Sequence, residues 1–118
     1  MTHPVITVTR ETALRRVVKL MGDNNIGSVV IVNNKDVPIG IFTERDLVKV
    51  VRKDFNVEEL VVGEVMTSPI KKVGLDSTVL DISKLMNKHH FRRVVVVDDN
   101  GKIAGIVTAQ DLIKLMSY

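Results

Sequence analysis

Two short segments place a threonine three positions before an aspartate, after an apolar run that contains a glycine. They are Gly40-Ile41-Phe42-Thr43-Glu44-Arg45-Asp46 and Gly105-Ile106-Val107-Thr108-Ala109-Gln110-Asp111. A Thr-x-x-Asp pair that opens a helix can form a capping box, because the hydroxyl accepts an early helix N–H and the carboxylate lies where the helix dipole favours it. The same groups can instead bind a phosphate at the helix N-terminus and ribose hydroxyls at the carboxylate. The two roles can coexist, and the spacing leaves both open.

The two segments are equivalent positions of an internal repeat. A shift of 65 positions aligns residues 4–51 with residues 69–116 without a gap, and apolar positions fall on apolar ones. The period exceeds the roughly 20–50 residues of solenoid repeats, so it predicts a pseudo-twofold pair rather than an array. We expect a first repeat over 1–51, a linker over 52–68 and a second repeat over 69–118. Gly40 and Gly105 would let their strands approach a ligand or a neighbouring strand closely.

Each copy is predicted to fold as strand, helix, strand, strand, helix. The first strands are expected at 5–8 and 70–73, the β-branched second strands at 28–32 and 93–97, and the third strands at 37–42 and 102–107. Tight turns at 33–36 and 98–101 join the last two strands of each copy, and the final helices begin near Glu44 and Ala109. The inward faces of the first helices are predicted to hold Leu14, Val17, Val18 and Met21 in one copy and Val79, Ile82, Leu85 and Met86 in the other.

These elements predict an α+β fold. Because one repeat alone buries too little surface to be stable, we expect the copies to pack sheet to sheet and to leave related clefts between them. Within the linker, residues 56–60 are predicted to form a capped helical turn.

Composition excludes several kinds of chemistry. The chain has no cysteine, so it has no disulfide, iron–sulfur cluster, thiolate zinc site or cysteine nucleophile. His89 and His90 are adjacent and cannot form an i, i+4 metal pair, and no nucleophile stands with a base in a known motif. No apolar run could span a membrane, and the N-terminus lacks a secretory signal. We therefore expect a cytoplasmic, non-catalytic protein with no metal and no required cofactor.

The net charge of +3 is mildly basic. Together with the Arg92-Arg93 pair it is the only support for nucleic-acid binding, and three phenylalanines and one tyrosine are too few for a base-stacking platform. The composition therefore disfavours a nucleic-acid partner.

The doubled strand–helix–strand–strand–helix pattern, the Met66-Thr67-Ser68-Pro69 segment before the second copy and the paired Gly-x-x-Thr-x-x-Asp motifs resemble a CBS-domain pair. This is the Bateman module, named after the cystathionine β-synthase domain, and the resemblance covers residues 1–118. It implies a regulatory module that binds an adenosine ligand (AMP, ADP, ATP or S-adenosylmethionine) in the clefts between the repeats. The resemblance also implies roles for six residues: phosphate contact by Thr43 and Thr108, ribose binding by Asp46 and Asp111, and walls around the ribose and base from Ile41 and Ile106.

In that family each cleft pairs the motif of one copy with the first and second strands of the other. The resemblance therefore implies that four basic residues face Thr43 and Asp46, namely Lys71, Lys72, Arg92 and Arg93. The residues at the matching positions, which would face Thr108 and Asp111, are Ile6, Thr7, Gly27 and Ser28. Strand alternation turns about half of the basic side chains away. Because arginine pairs phosphate bidentately, we still expect the basic cleft to prefer polyphosphates.

The second copy stands at the end of this sequence, so we expect no attached effector domain and an output through a separate partner protein or self-association. The resemblance implies a homodimer formed through helices. Its surface could come from Leu47, Val50, Val51, Leu112, Leu115 and Met116, unless these residues form the core. Two alternatives stay open: a nucleic-acid-binding protein, and a structural interaction domain in which both Thr-x-x-Asp pairs merely cap helices and no small ligand binds.

Overall fold

The computed structural model describes residues 5–89 and 92–116, and these residues contain the same succession of elements twice. The first copy comprises β1 (Thr7–Val8), α1 (Leu14–Asn24), β2 (Ser28–Val32), β3 (Pro38–Thr43) and α2 (Glu44–Arg52). The second comprises β4 (Lys72–Gly74), α3 (Val79–His89), β5 (Arg93–Val97), β6 (Ile103–Thr108) and α4 (Ala109–Met116). The predicted α+β class and its repeated unit are confirmed.

The chain divides into two compact units, one of Ile6–Ile70 and one that contains the residues from Lys71 onward. Each unit has its own three-stranded sheet, in the order β1-β2-β3 or β4-β5-β6. The first strand of each sheet pairs in parallel with the central strand, and the central strand forms an antiparallel hairpin with the last. This is the topology expected when a helical crossover joins two parallel strands and a hairpin adds the third.

The central strands are the most buried part of each unit. Residues 29–32 of β2 and 94–96 of β5 are buried, as their β-branched composition predicts. In β3 the burial alternates, so that Phe42 faces the core while Ile41 and Thr43 lie half-buried on the other face. The same alternation in β6 leaves Ile106 and Thr108 half-buried. The motif threonines thus stand on the sheet face away from the deepest core side chains.

The helices bury narrower faces than their sequence periodicity predicts. Leu14, Val17 and Met21 of α1 are buried as expected, with Val18 half-buried. In α3 the expected core residues Ile82 and Met86 are buried, but Val79 is 39% exposed. Its inward placement was wrong, because Val79 is the first residue of α3 and lies at the edge of the buried face.

The strand bounds differ slightly from the prediction. The first strands are shorter, since β1 is limited to Thr7–Val8 and β4 begins at Lys72 instead of Ile70. In both units the residue before the strand already contributes a carbonyl to the central strand: Ile6 O accepts from Val30 N–H, and Lys71 O accepts from Val95 N–H. The third strands run one residue later than expected and end on the motif threonines.

Part of the predicted helical surface is core. Val50 and Leu112 are buried in the cores of their own units, and Leu47 is half-buried. Of the two uses left open for Val50 and Leu112, a dimer surface or the core, the structure shows the core, because their side chains are packed within their own units. Large apolar side chains that remain exposed on α2 and α4 include Val48, Val51 and Ile113.

The linker is bound to the first unit. Two 3₁₀ turns, Val57–Glu59 and Val62–Glu64, lie between α2 and β4, and the Asn56 side chain accepts the Glu58 N–H at 3.0 Å, which confirms the predicted capped turn. Leu14 N–H donates to Leu60 O at 2.9 Å and Val62 N–H donates to Thr12 O at 2.8 Å. The first of these bonds satisfies the start of α1, where Ala13 has no side-chain oxygen with which to cap.

No helix in the described part of the chain is long and apolar enough to cross a membrane.

Candidate functional site

The β3–α2 junction is closed by reciprocal hydrogen bonds between Thr43 and Asp46. Thr43 N–H donates to Asp46 Oδ2 at 2.9 Å, and Asp46 N–H donates to Thr43 Oγ1 at 3.3 Å. The Thr43 hydroxyl also donates to Oδ2, at 3.1 Å. This is a capping box, and it places a carboxylate at the helix end where the free N–H groups and the helix dipole favour negative charge.

The β6–α4 junction repeats this arrangement. Thr108 N–H donates to Asp111 Oδ2 at 2.9 Å, and Asp111 N–H donates to Thr108 Oγ1 at 3.1 Å. Asp111 is 7% exposed and Asp46 is 6% exposed, so both carboxylates are nearly enclosed. A buried carboxylate needs hydrogen-bond donors, and each aspartate receives them from its own threonine.

A third Thr-x-x-Asp pair stands at the start of α3. Asp81 N–H donates to Thr78 Oγ1 at 3.1 Å and Thr78 N–H donates to Asp81 Oδ2 at 3.2 Å. These bonds from the Thr78 backbone and side chain lower the pKa of Asp81. Thr78 and Asp81 are exposed and follow a loop, whereas the other two pairs lie at the end of a strand with a buried aspartate. The Thr-x-x-Asp spacing therefore marks helix caps in general, and burial at the end of a strand distinguishes the pairs at 43 and 108.

Asp46 has a further donor that comes from the linker. The Thr67 hydroxyl donates to Asp46 Oδ1 at 2.8 Å, across a separation of 21 positions. The backbone of Thr67 is bonded to β3, because Thr67 N–H donates to Ile41 O at 2.8 Å and Ile41 N–H donates to Thr67 O at 3.0 Å. Sequence reasoning missed Thr67 as a partner of Asp46, since no local spacing connects them.

Gly40 makes room for this contact. A Cβ at position 40 would lie 2.5 Å from Met66 Sδ and 3.1 Å from Thr67 O. Of the two uses predicted for this glycine, the structure shows the close approach of a neighbouring backbone segment, residues 66–67.

The ladders show which predicted residues share a sheet face. Ser28 pairs with Thr43, and Arg93 pairs with Thr108. Because directly opposite residues present their side chains on the same face, Ser28 and Arg93 lie beside the motif threonine of their own repeat. Lys72 joins the face of Arg93, since it pairs with Val95, two positions along the same strand. The expected grouping of these residues with the motif of the other repeat stays a prediction.

Three further predicted residues occupy different surroundings. Ile6 packs against the hydrophobic core cluster of the first unit. Arg92 is exposed, and its carbonyl accepts the Ala109 N–H at 2.8 Å at the start of α4. Lys71 is exposed and lies near His89, whose pKa is lowered first by partial burial and then by the charges of Lys71 and Lys88.

Metal-ligating residues do not converge in the described ranges, 5–89 and 92–116. No group of three or more histidine, cysteine, aspartate or glutamate side chains there could hold an ion. His90, the second residue of the adjacent histidine pair, lies outside the described residues.

Comparison with known proteins agrees with this geometry. The CBS domain family matches the chain over residues 1–53 and again over 62–118. An uncharacterised protein of Methanopyrus kandleri is 49% identical over 109 residues, which are 92% of this chain and 55% of that protein. The chain thus spans about half the length of this curated relative.

Two solved structures have the same fold. The CBS domain pair of protein MJ0100, in complex with 5′-methylthioadenosine and S-adenosyl-L-methionine, gives a TM-score of 0.88 at 26% identity and covers 99% of this chain and 91% of that one. A CBS domain protein from Pyrobaculum aerophilum, complexed with AMP, gives a TM-score of 0.86 at 23% identity and covers 100% of this chain and 95% of that one. With both halves of the sequence matched, the chain belongs to the CBS domain family and carries two CBS domains in tandem.

Proposed function

We propose that this CBS-domain pair is a non-catalytic regulatory module that binds an adenosine ligand (AMP, ADP, ATP or S-adenosylmethionine) at the strand–helix junction of each repeat. The observation that carries the proposal is the recurrence of one arrangement at both junctions. In each, a nearly enclosed carboxylate lies beside the N-terminus of a helix of at least eight residues, next to a half-buried capping threonine. The MJ0100 pair, a relative of similar fold, binds two ligands that share an adenosine group.

The residues at each junction have chemistry that suits a nucleoside. The carboxylates of Asp46 and Asp111 can accept hydrogen bonds from the two ribose hydroxyls, as carboxylates do in dinucleotide sites. The first N–H groups of α2 and α4, with the hydroxyls of Thr43 and Thr108, favour a phosphate. Ile41 and Ile106, which are half-buried on the strand face of the threonines, are proposed to wall the nucleoside.

We further propose that the module acts in the cytoplasm and signals through a separate effector protein, as a homodimer. Val48, Val51 and Ile113 support the homodimer, because they leave apolar area exposed on the helices that follow the two motifs. The division into a first repeat over 1–51, a linker over 52–68 and a second repeat over 69–118 is part of the same proposal.

Thermal unfolding with a panel of adenosine ligands tests the function. A ligand at about 100 times its dissociation constant adds roughly 2.7 kcal/mol to the free energy of unfolding. We expect such a shift with at least one ligand of the panel, and Asp46→Asn or Asp111→Asn should weaken binding about tenfold at its own junction, since the asparagine offers one oxygen acceptor instead of two. The double variant should lose the shift.

Asp81→Asn is the matched control. It removes the carboxylate of a capping box at the start of α3 that has the same two reciprocal backbone bonds as the box of Thr108 and Asp111, without touching either proposed site. It should keep the ligand-induced shift. If none of AMP, ADP, ATP and S-adenosylmethionine shifts thermal unfolding, the structural interaction domain is favoured instead. If Asp81→Asn and Asp46→Asn reduce the ligand-induced shift equally, the reduction comes from impaired folding and not from loss of a ligand contact.

A further inference from the structure

We propose that Thr67 is a positioning residue for the ligand at Asp46, and that it couples occupancy of the first-repeat site to docking of the linker on β3. The inference rests on the proposed function, because it takes Asp46 as the ribose-binding group. It adds to the proposed site a linker residue, Thr67, that no helix cap requires. It also gives the ligand a means of acting on the segment between the repeats.

The acceptor positions on Asp46 are nearly filled. A carboxylate offers about four lone-pair sites. On Oδ2 the Thr43 N–H and the Thr43 hydroxyl occupy two of them, and on Oδ1 the Thr67 hydroxyl occupies one. One site on Oδ1 is left after these contacts, whereas a ribose diol needs two. A ligand must therefore displace one of the three donors.

The Thr43 hydroxyl is the donor that can leave Asp46. Thr43 Oγ1 accepts the Asp46 N–H, so its hydroxyl proton can rotate from Oδ2 to a phosphate while the cap on the helix is kept. Thr67 is held differently: its backbone is bonded to Ile41 in both directions, which fixes its Cα beside β3, and its hydroxyl lies 2.8 Å from Oδ1. Thr67 can thus stay bound and hold the plane of the carboxylate while one ribose hydroxyl binds each oxygen.

Ligand binding and docking of the linker are thermodynamically linked. If Thr67 orients Asp46 for the ligand, then a bound ligand must stabilise the docked state of residues 66–67 by the same factor. Gly40 brings this segment close enough to act, since a side chain there would meet Met66 and Thr67. The linker is therefore expected to exchange its Thr67 amide proton more slowly when the first-repeat site is occupied.

The test uses the full chain with AMP as the probe, and binding at the first repeat is followed by the amide signals of Thr43 and Leu47, which lie at its β3–α2 junction. Thr67→Val should weaken AMP binding about tenfold, the size expected for a lost hydrogen bond to a charged group. Thr67→Ser keeps the hydroxyl and should bind within about twofold of the unaltered chain. Thr78→Val, which removes a hydroxyl from the Asp81 box instead, is the matched control and should leave AMP affinity unchanged.

A second readout uses the unaltered chain and so does not depend on whether a variant folds. AMP should slow exchange of the Thr67 amide proton, which donates to Ile41 O, in the unaltered chain. The inference is overturned if AMP binds without slowing this exchange, or if Thr67→Val binds AMP as tightly as the unaltered chain and merely unfolds more easily. If the unaltered chain binds no adenosine ligand, the proposed function fails and the inference fails with it. The two failures are therefore distinct.

Discussion

At the scale of single residues, Gly40 determines how closely the linker can lie against β3. An alanine there would bring its Cβ to 3.1 Å from the Thr67 carbonyl oxygen, a backbone atom that cannot turn aside, and to 2.5 Å from Met66 Sδ. Gly40→Ala is therefore expected to lower the free energy of unfolding by about 1–3 kcal/mol through overpacking. Urea denaturation measures this loss, and amide exchange at Thr67 should accelerate in the same variant.

Gly22 supplies the contrasting substitution. It lies in α1, is exposed, and a Cβ there would meet nothing within 4 Å. Because alanine is a better helix former, Gly22→Ala should raise the free energy of unfolding by about 0.5–1 kcal/mol in the same urea experiment. If Gly22→Ala also lowered the free energy of unfolding, the loss in Gly40→Ala could not be attributed to crowding against Met66 and Thr67.

The local contacts of the candidate site could be predicted from sequence, whereas its long-range contact could not. Thr43 and Asp46 are three positions apart, and a strand followed by that spacing implies the cap that is observed. Thr67 reaches Asp46 across 21 positions, through a backbone bridge to Ile41 that depends on how the linker folds back. Neither hydrophobic periodicity nor a helix-capping rule relates residues at that distance.

At the scale of elements, α3 carries two side chains with a lowered pKa, Asp81 and His89, so its stability should depend on pH. The pKa of Asp81 is lowered by hydrogen bonds from Thr78, and the pKa of His89 is lowered by partial burial and by Lys71 and Lys88. A group whose pKa is lower in the folded chain binds its proton more tightly in the unfolded chain, so its contribution to stability is lost as pH falls. For His89 this loss of stability begins as the pH falls below the ordinary histidine pKa of 6.5. For Asp81 it begins as the pH falls below the ordinary aspartate pKa of 3.8.

Substitution separates the two pH ranges. His89→Gln should unfold with a shallower decline in stability than the unaltered chain between about pH 7 and pH 5. Asp81→Asn should change the decline only at more acidic pH. Urea unfolding across this range measures both effects, and an NMR titration of His89 should give a pKa below 6.5. A pKa at or above that value would contradict the stated cause.

Element types were more predictable than their ends and their buried faces. The β-branched runs of β2 and β5 predict strands buried on both faces, and the turns after them predict hairpins, because both signals are local. Val79 was misplaced, since periodicity alone does not show where along the helix its buried face begins. The docking of the linker on α1 was not predicted either, because the bonds of Leu60 and Val62 are backbone contacts that any residue types could make.

At the scale of the whole molecule, the two repeats differ in the charge near their second strands. The second repeat carries Arg92 and Arg93 at the positions where the first carries Gly27 and Ser28. The resemblance to the family assigns these arginines to the motif of Asp46, whereas the β5–β6 ladder places Arg93 beside Thr108 in its own repeat. Binding measurements in variants that retain a single intact motif separate the two assignments.

We expect Arg93→Ala to weaken ATP binding about tenfold in the Asp111→Asn background, where Asp46 is the remaining motif aspartate. It should have little effect in the Asp46→Asn background. Isothermal titration calorimetry measures both, and Lys35→Ala, at an exposed lysine of the β2–β3 turn, controls for net charge. The opposite pattern would assign Arg93 to the second-repeat motif, and unchanged affinity in both backgrounds would remove Arg93 from the site.

The hydrogen bonds of the linker also determine where the chain can be divided. A fragment that stopped at the end of α2 would lose Leu60 O as the partner of the Leu14 N–H, and it would lose the donors that Val62 and Gly63 supply to Thr12 O and Arg10 O. It would also remove Thr67 from β3. A truncation, permutation or graft meant to reproduce the first unit must therefore keep the connecting segment through Ile70. In this protein the segment between the repeats is a structural part of the first one.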